Sequence, residues 1–229
     1  MKITWLGHAS FRIEIEGAVL LIDPWLAGNP SFPDDRRAEA LAGATHILLT
    51  HGHFDHTAEI SDIAAETKAT VCCIPEMAGV IEAMGHTVVD WNKGGTIDCA
   101  GAKVSMVNAV HSSSMPTADG VIYSGTESGF MIGGEGHMIY VSGDTDIMAD
   151  MDWMGDFYQP DIGILCAGGH YTMGMKGAAY AAKRYFNFKT VIPCHYKTFP
   201  LLEQSAQALI DGLPGVDVQT PEVMAPIDF

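Results

Sequence analysis

The sequence predicts an α/β protein in which two mixed β-sheets pack face to face with helices outside. Apolar runs of strand length are frequent, and strands with hairpin signals precede single strands that alternate with helical patterns. This order occurs twice along the chain, which favours two sheets over one. No linker or low-complexity segment divides the 229 residues, so we expect a single domain over residues 1–229.

The individual elements follow from short apolar runs and from helical spacing. The N-terminus predicts a first strand, and a glycine-rich turn at 133–136 indicates a hairpin. Further strands are expected at residues 19–22, 47–49, 69–74, 87–91, 103–110, 127–132, 137–141, 162–166 and 190–194. Helices are expected at residues 58–66, 77–84, 177–186 and 201–213, and the Pro- and Asp-rich segment 29–37 is expected to be a loop.

The composition narrows the classes of partner. Lys and Arg number 12 against 28 Asp and Glu, which gives a formal charge of −16 and argues against nucleic acid or an anionic membrane as partner. No apolar run reaches the roughly 18 residues that a membrane span needs. The five cysteines are odd in number and lack C-x-x-C spacing, so buried reduced thiols in a cytoplasmic protein are expected. The predicted partner is therefore a small-molecule substrate.

The segment from Thr50 to His56 carries the strongest chemical signal, because it reads T-H-G-H-F-D-H directly after a predicted strand. The pattern H-x-H-x-D-H would occur in only about one random chain in a thousand of this length. Residues i and i+2 of an extended segment point the same way, so His51 and His53 can bind one metal ion together. Asp55 and His56 then face a second ion from a helix start. The absence of cysteine favours an open catalytic site over a closed structural one.

Three further candidates also follow predicted strands: His111, Asp144 and His195. Side chains at the ends of several strands can converge on one sheet edge. Five histidines and two aspartates are enough for two divalent ions. Imidazole and carboxylate accept zinc, manganese, iron or nickel, and zinc is the first expectation.

These motifs resemble those of the metallo-β-lactamase superfamily over nearly the whole chain. Residues 5–11 and 23–25 are similar to the branch that contains the ascorbate-6-phosphate lactonase and many small hydrolases without a known substrate. Residues 168–174 and 192–200 resemble the hydrolases without a known substrate more closely still. The resemblance implies a four-layer αββα sandwich and a dinuclear metal-dependent hydrolase. It implies that one metal is bound by His51, His53 and His111 and the other by Asp55, His56 and His195, with Asp144 as the bridge.

The implied reaction is attack of a metal-bridging hydroxide on a small ester, lactone, amide or phosphoester, with Asp55 and Asp144 in the catalytic centre. Two alternatives stay open: a metal-binding redox or non-hydrolytic module on the same fold, and a phosphodiesterase acting on nucleic acid. The electron-transfer relatives carry glutamate where this chain has His53, which favours hydrolysis. The sequence leaves open whether the chain forms a homo-oligomer.

Six further residues are candidates around the site. Asp23 and His8 are expected to orient the metal ligands through hydrogen bonds. His170 lies in a glycine-rich turn after a strand, where a catalytic, ligating or structural role is open. Trp25, Tyr196 and Lys197 are candidates for the wall of the substrate pocket. His46, His86 and His137 match no pattern and are expected to be structural.

Overall fold

The computed structural model describes residues 1–117 and 120–229, which form two seven-stranded sheets and a separate two-stranded ribbon. The strands are β1 (Lys2–Gly7), β2 (Ser10–Ile15), β3 (Ala18–Ile22), β4 (His46–Leu48), β5 (Thr70–Cys73), β6 (Val88–Asp90), β7 (Thr96–Cys99), β8 (Ala102–Asn108), β9 (Ser114–Thr117), β10 (Gly120–Tyr123), β11 (Ser128–Gly134), β12 (His137–Val141), β13 (Ile162–Cys166), β14 (Thr190–Cys194), β15 (Asp217–Val218) and β16 (Pro226–Asp228). The helices are α1 (Arg37–Leu41), α2 (Phe54–Thr57), α3 (Ile60–Thr67), α4 (Pro75–Ala83), α5 (Met151–Tyr158), α6 (Met175–Tyr185) and α7 (Gln207–Gly212).

The two sheets repeat one plan. The first has the strand order β16-β1-β2-β3-β4-β5-β6 and the second has the order β15-β14-β13-β12-β11-β8-β7. In each sheet antiparallel strands come first, and the strands from β3 to β6 and from β12 to β15 then pair in parallel. Parallel neighbours require a crossover, and each of these six connections contains a helix. This repeat is the order predicted from the sequence.

Burial follows from the position of each strand. In β2 the side chains of Phe11, Ile13 and Ile15 are buried, whereas Arg12 and Glu14 between them are half-buried. Strands β13 and β14 are buried throughout, as expected for central strands covered on both faces. One apolar cluster joins residues of both sheets and of the flanking helices. The predicted αββα sandwich is confirmed.

Several predicted elements differ from the structure. Helix α7 covers only the second part of the predicted helix 201–213, because the Glu203 amide donates to Gly168 O and the Glu203 carbonyl accepts from the Lys197 amide. The predicted loop 29–37 contains a 3-10 turn at Asp34–Arg36, and α1 begins at Arg37, the last residue of that predicted loop. Helix α5 and the ribbon of β9 and β10 were not predicted.

Two predictions about the rest of the chain concern cysteines and membrane spans. All five cysteines are free and buried, as expected from their spacing. Among the helices within residues 1–117 and 120–229, none combines the length and apolar character needed to cross a membrane.

Gly155 tests the packing of α5 against α6. A Cβ atom at this position would lie 1.9 Å from Tyr185 O, a backbone atom that cannot rotate away. We expect Gly155→Ala to lower the free energy of unfolding by about 2 kcal/mol or more. Gly79→Ala in α4 is the matched control, because no described atom beyond the adjacent helix backbone lies within 4 Å of its new Cβ and alanine favours a helix by about 1 kcal/mol. Urea denaturation of both variants measures this, and a Gly155→Ala protein as stable as the wild type would contradict the described contact.

Candidate metal centre

The segment between β4 and α2 delivers four of the predicted ligands to one edge of the sandwich. His51 and His53 follow β4, and Asp55 and His56 lie in the short helix α2. His51 Nε2 lies 3.0 Å from His53 Nδ1, so the two rings converge as the i, i+2 spacing predicted. Together with His111 after β8 they form a first group, whose ligand atoms all lie within 4.8 Å of one another.

A second group forms beside the first from Asp55, His56 and His195. Their ligand atoms, with one nitrogen of His8, also lie within 4.8 Å of one another. His195 follows β14 in the left-handed region at φ 60°, and its amide donates to His8 O at 2.9 Å. A non-glycine residue in this region costs of order 1–3 kcal/mol, so the surrounding structure holds His195 in this conformation.

Asp144 lies between the two groups. Its Oδ2 is 3.0 Å from His195 Nε2 and 3.4 Å from His56 Nε2 in the second group. The same oxygen is 3.7 Å from His111 Nε2 and 3.9 Å from His51 Nε2 in the first group. One carboxylate thus faces four imidazoles from both groups, which is where the resemblance implies a bridging ligand.

Gly143 explains how the chain reaches this position. Its φ of +60° lies in the left-handed region, and a Cβ atom there would lie 2.4 Å from Ser128 O. Only glycine fits this close approach between the end of β12 and the start of β11. The turn then directs the Asp144 side chain, which is 3 % exposed, into the cluster.

Asp23 fixes the orientation of His56. Its Oδ2 accepts from His56 Nδ1 at 2.8 Å and from Thr50 Oγ1 at 2.6 Å, and its Oδ1 accepts from the Thr50 amide at 2.8 Å. The hydrogen bond to Nδ1 leaves Nε2 of His56 facing the cluster. This is the role expected of Asp23 from its position at the end of β3.

His8 contacts the cluster through Asp55. Its Nε2 donates to Asp55 Oδ2 at 2.8 Å, and its Nδ1 lies 2.9 Å from Thr198 Oγ1. Burial lowers the pKa of His8 to about 4 against the opposing effect of Asp55, so the ring is neutral at pH 7. Because Nε2 is already hydrogen-bonded to Asp55, the geometry favours an orienting role for His8 over direct ligation.

The buried charges favour a cation at this edge. Burial lowers the pKa of His51 well below 6.5, so this ring is the neutral imidazole that a metal ion needs. For His195 burial also lowers the pKa, but Asp144 and Asp55 outweigh it and raise the value to about 9. Burial raises the pKa of Asp144, yet His195 and His56 hold it well below its usual range. The Asp144 carboxylate therefore stays ionised, and its negative charge stabilises positive charge on the groups next to it.

The atoms of the cluster fit a divalent metal. Three buried atoms of the cluster have no hydrogen-bond partner among the described residues, and they are His56 Nε2, Asp144 Oδ1 and His195 Nδ1. A buried polar atom without a partner costs about 1–3 kcal/mol, and a bound cation would remove this cost at His56 Nε2. The donors are imidazole nitrogens and carboxylate oxygens without thiolate, a set that suits zinc, manganese, iron or nickel.

The structure does not bring the other four candidates to the cluster. His170 is exposed and lines a shallow depression with residues 201–204 instead. Tyr196 is buried and stacks on Trp5, and Lys197 Nζ lies over the Tyr196 ring at 5.3 Å. Trp25 is buried and meets His8 and Phe54 edge to face. The structural histidines lie elsewhere, since His46, His86 and His137 hydrogen-bond to Thr45, Ser61 and Asp161.

A cavity of about 720 Å³ opens over the cluster, and sequence reasoning missed most of its wall. Tyr171 lines it rather than the neighbouring His170. The remaining apolar wall residues are Phe54, Pro116, Val121, Phe199, Pro200 and Leu201. Phe54 lies within the segment from Thr50 to His56, and residues 199–201 lie within or directly after the segment 192–200. This proximity of apolar residues to the ligands in sequence was the available signal.

The family follows from comparison with known proteins. Residues 2–195 match the model of a β-lactamase superfamily domain. The chain belongs to the metallo-β-lactamase superfamily. A metal-dependent hydrolase from Paracoccus denitrificans is 65 % identical to it over 99 % of both chains. The resemblance stated from the motifs is confirmed.

Solved structures of other proteins agree with the fold. A metallo hydrolase from Ignicoccus hospitalis has a TM-score of 0.85 and 28 % identity, covering 100 % of this chain and 98 % of its own. A diiron β-hydroxylase from Streptomyces venezuelae has a TM-score of 0.74 at 15 % identity, covering 100 % of this chain and 54 % of its own, which shows a shared fold alone. A shared fold does not fix an activity, so function must be argued from the site.

Asp23→Ala tests whether the outer hydrogen bonds hold the cluster. The variant loses the partner of His56 Nδ1 and two bonds to Thr50, so we expect zinc affinity to fall by about 10- to 100-fold. Asp161→Ala is the control, because that carboxylate accepts from His137 and the Met138 amide at the opposite end of β13. Competition with a chromogenic chelator measures the affinity. Equal affinities in the two variants would contradict the orienting role of Asp23.

Proposed function

We propose that the protein is a dinuclear metal-dependent hydrolase acting on a small molecule. The observation that carries this proposal is the position of Asp144 Oδ2, which lies 3.0–3.9 Å from imidazole nitrogens of both groups. One carboxylate shared by two ligand groups suits two ions bridged by that residue. Superfamily membership and the 65 % identical metal-dependent hydrolase support hydrolysis as the reaction class.

Each group would hold one ion. His51, His53 and His111 would bind the first, Asp55, His56 and His195 the second, and Asp144 both. When bound, such cations lower the pKa of a water molecule and polarise the carbonyl or phosphoryl oxygen of the substrate. Zinc is the first candidate metal, with manganese, iron or nickel compatible with the same donors.

The chain itself contributes orientation and burial. Asp23 and His8 fix the rings and carboxylate next to them, so little reorganisation is needed when metal binds. Asp144, His51 and His56 are at most 3 % exposed, so their interactions with a cation act in a low-dielectric environment. The cavity provides the route for a small substrate to reach this edge.

Partner and compartment follow as further parts of the proposal. The formal charge of −16 favours a small substrate over a nucleic acid or an anionic membrane. Five free buried cysteines suit a reducing compartment such as the cytoplasm.

Asp144→Ala tests the proposal. Loss of the shared carboxylate should reduce bound metal to less than half of the wild-type content and lower hydrolytic activity by at least about 100-fold. Metal analysis by plasma mass spectrometry is combined with a hydrolysis screen over lactones, esters, amides and phosphodiesters. Removal of metal from the wild type with a chelator should abolish the activity found, and added zinc or manganese should restore it.

Asp146→Ala serves as the control for Asp144→Ala. Asp146 lies two residues further along the same loop and is exposed, and among the described residues its side chain accepts a hydrogen bond only from the Ile147 amide. This variant should keep wild-type metal content and activity. Full metal content in Asp144→Ala, or hydrolysis that survives chelation, would refute a dinuclear metal hydrolase.

A further inference from the structure

The cavity over the metal cluster has two unlike halves. Its floor consists of residues from the cluster, and its wall is apolar over four separate chain segments. Phe54 begins α2, Pro116 and Val121 belong to the ribbon, Tyr171 follows β13, and residues 199–201 follow His195. Apolar side chains from such distant parts of the sequence converge on one opening, which indicates a built recognition surface.

Several side chains of the wall are exposed to solvent although they are apolar. Val121 is 73 % exposed, Leu201 64 %, Tyr171 56 % and Phe54 53 %. Contact between an apolar side chain and water is unfavourable in free energy. A patch of exposed apolar side chains beside polar groups is typical of a ligand-binding site. A volume of about 720 Å³ lies within the usual range for small-molecule pockets.

No lysine or arginine occurs among the wall residues that the structure describes. Lys197 is close in sequence, but its ammonium lies over the Tyr196 ring, outside this cavity. Beyond the cluster, the polar side-chain groups among the described wall residues are the hydroxyls of Ser112, Ser114 and Tyr171. A phosphate or carboxylate on a part of the substrate remote from the hydrolysed bond would therefore lose water without gaining an opposite charge.

We propose that the cavity selects substrates whose portion remote from the hydrolysed bond is an uncharged alkyl or aryl group held by this apolar wall. The inference rests on the proposed function, since the metal cluster fixes which end of the substrate reacts. The wall then contributes affinity by removing the alkyl or aryl group from water. Substrates with a phosphorylated or carboxylated tail are excluded by the same wall.

Binding of three hydroxamic acids to the zinc-loaded protein tests this selectivity without relying on turnover. Acetohydroxamic and octanohydroxamic acid share the metal-binding group and differ in the alkyl tail, and suberic acid monohydroxamate carries a carboxylate in place of the terminal methyl group of octanohydroxamic acid. Each buried methylene is worth about fourfold in affinity. With part of the tail buried, octanohydroxamic acid should bind at least about 30-fold more tightly than acetohydroxamic acid, and the carboxylate should remove most of this gain. Isothermal titration calorimetry measures all three.

Val121→Lys tests the role of the wall. A lysine on the exposed ribbon should reduce the preference for octanohydroxamic acid over suberic acid monohydroxamate by about tenfold or more. Phe157→Lys is the control, since Phe157 is 74 % exposed on α5 and does not line the cavity. It should leave the preference unchanged, and both variants should bind zinc as the wild type does.

The outcomes separate this inference from the proposed function. Failure of the protein to bind zinc in the same calorimeter overturns both. Normal zinc binding with equal affinity for short and long tails, or with tighter binding of the carboxylated tail, overturns the apolar wall alone. A second copy of the chain docked on the wall would show as an oligomer that Val121→Lys dissociates, with no dependence on tail length, and would also overturn it.

Discussion

Three carboxylates buried at one edge of the sandwich set the constraint on which the site depends. Asp23, Asp55 and Asp144 are at most 9 % exposed, and a buried carboxylate is costly unless positive charge or hydrogen bonds compensate it. Asp23 is compensated by Thr50 and His56, whereas Asp144 faces four imidazoles and retains an oxygen without a partner. The buried carboxylates concentrate negative charge at a place where cations can neutralise it. The imidazole ligands are arranged around this negative charge.

The fold brings the carboxylates and their imidazole neighbours together because most of these residues lie shortly after the ends of strands. Asp23, His51, His111, Asp144 and His195 each follow a strand, and parallel pairing within each sheet brings several of these ends to one edge. The backbone is strained there, because His8, Asp23 and His195 have φ values of 52°, 43° and 60°. Left-handed conformations at non-glycine residues persist only where packing enforces them, and such strain concentrates at functional sites. The rigid sheets therefore supply the preorganisation that metal binding requires.

The sequence predicted the ligand cluster far better than the cavity above it. His51 and His53 converge because strand geometry fixes the direction of residues i and i+2, and Asp144 follows a strand whose apolar pattern is unambiguous. Trp25 and Tyr196 turn inward, and His170 points away, because loop conformation depends on contacts such as Glu203 N with Gly168 O that join residues distant in sequence. The wall residue Val121 belongs to a ribbon with only four residues in each strand, too short a pattern to predict. Periodicity predicts sheets, whereas pocket walls depend on tertiary contacts.

The central claim is that two metal ions bind on either side of Asp144. Crystals grown with zinc and measured on both sides of the zinc absorption edge test it most directly, because anomalous difference density reports metal positions independently of activity. Two peaks are predicted, one among His51, His53 and His111 and one among Asp55, His56 and His195, with Asp144 in contact with both. A single peak, or peaks that Asp144 does not touch, would contradict the account.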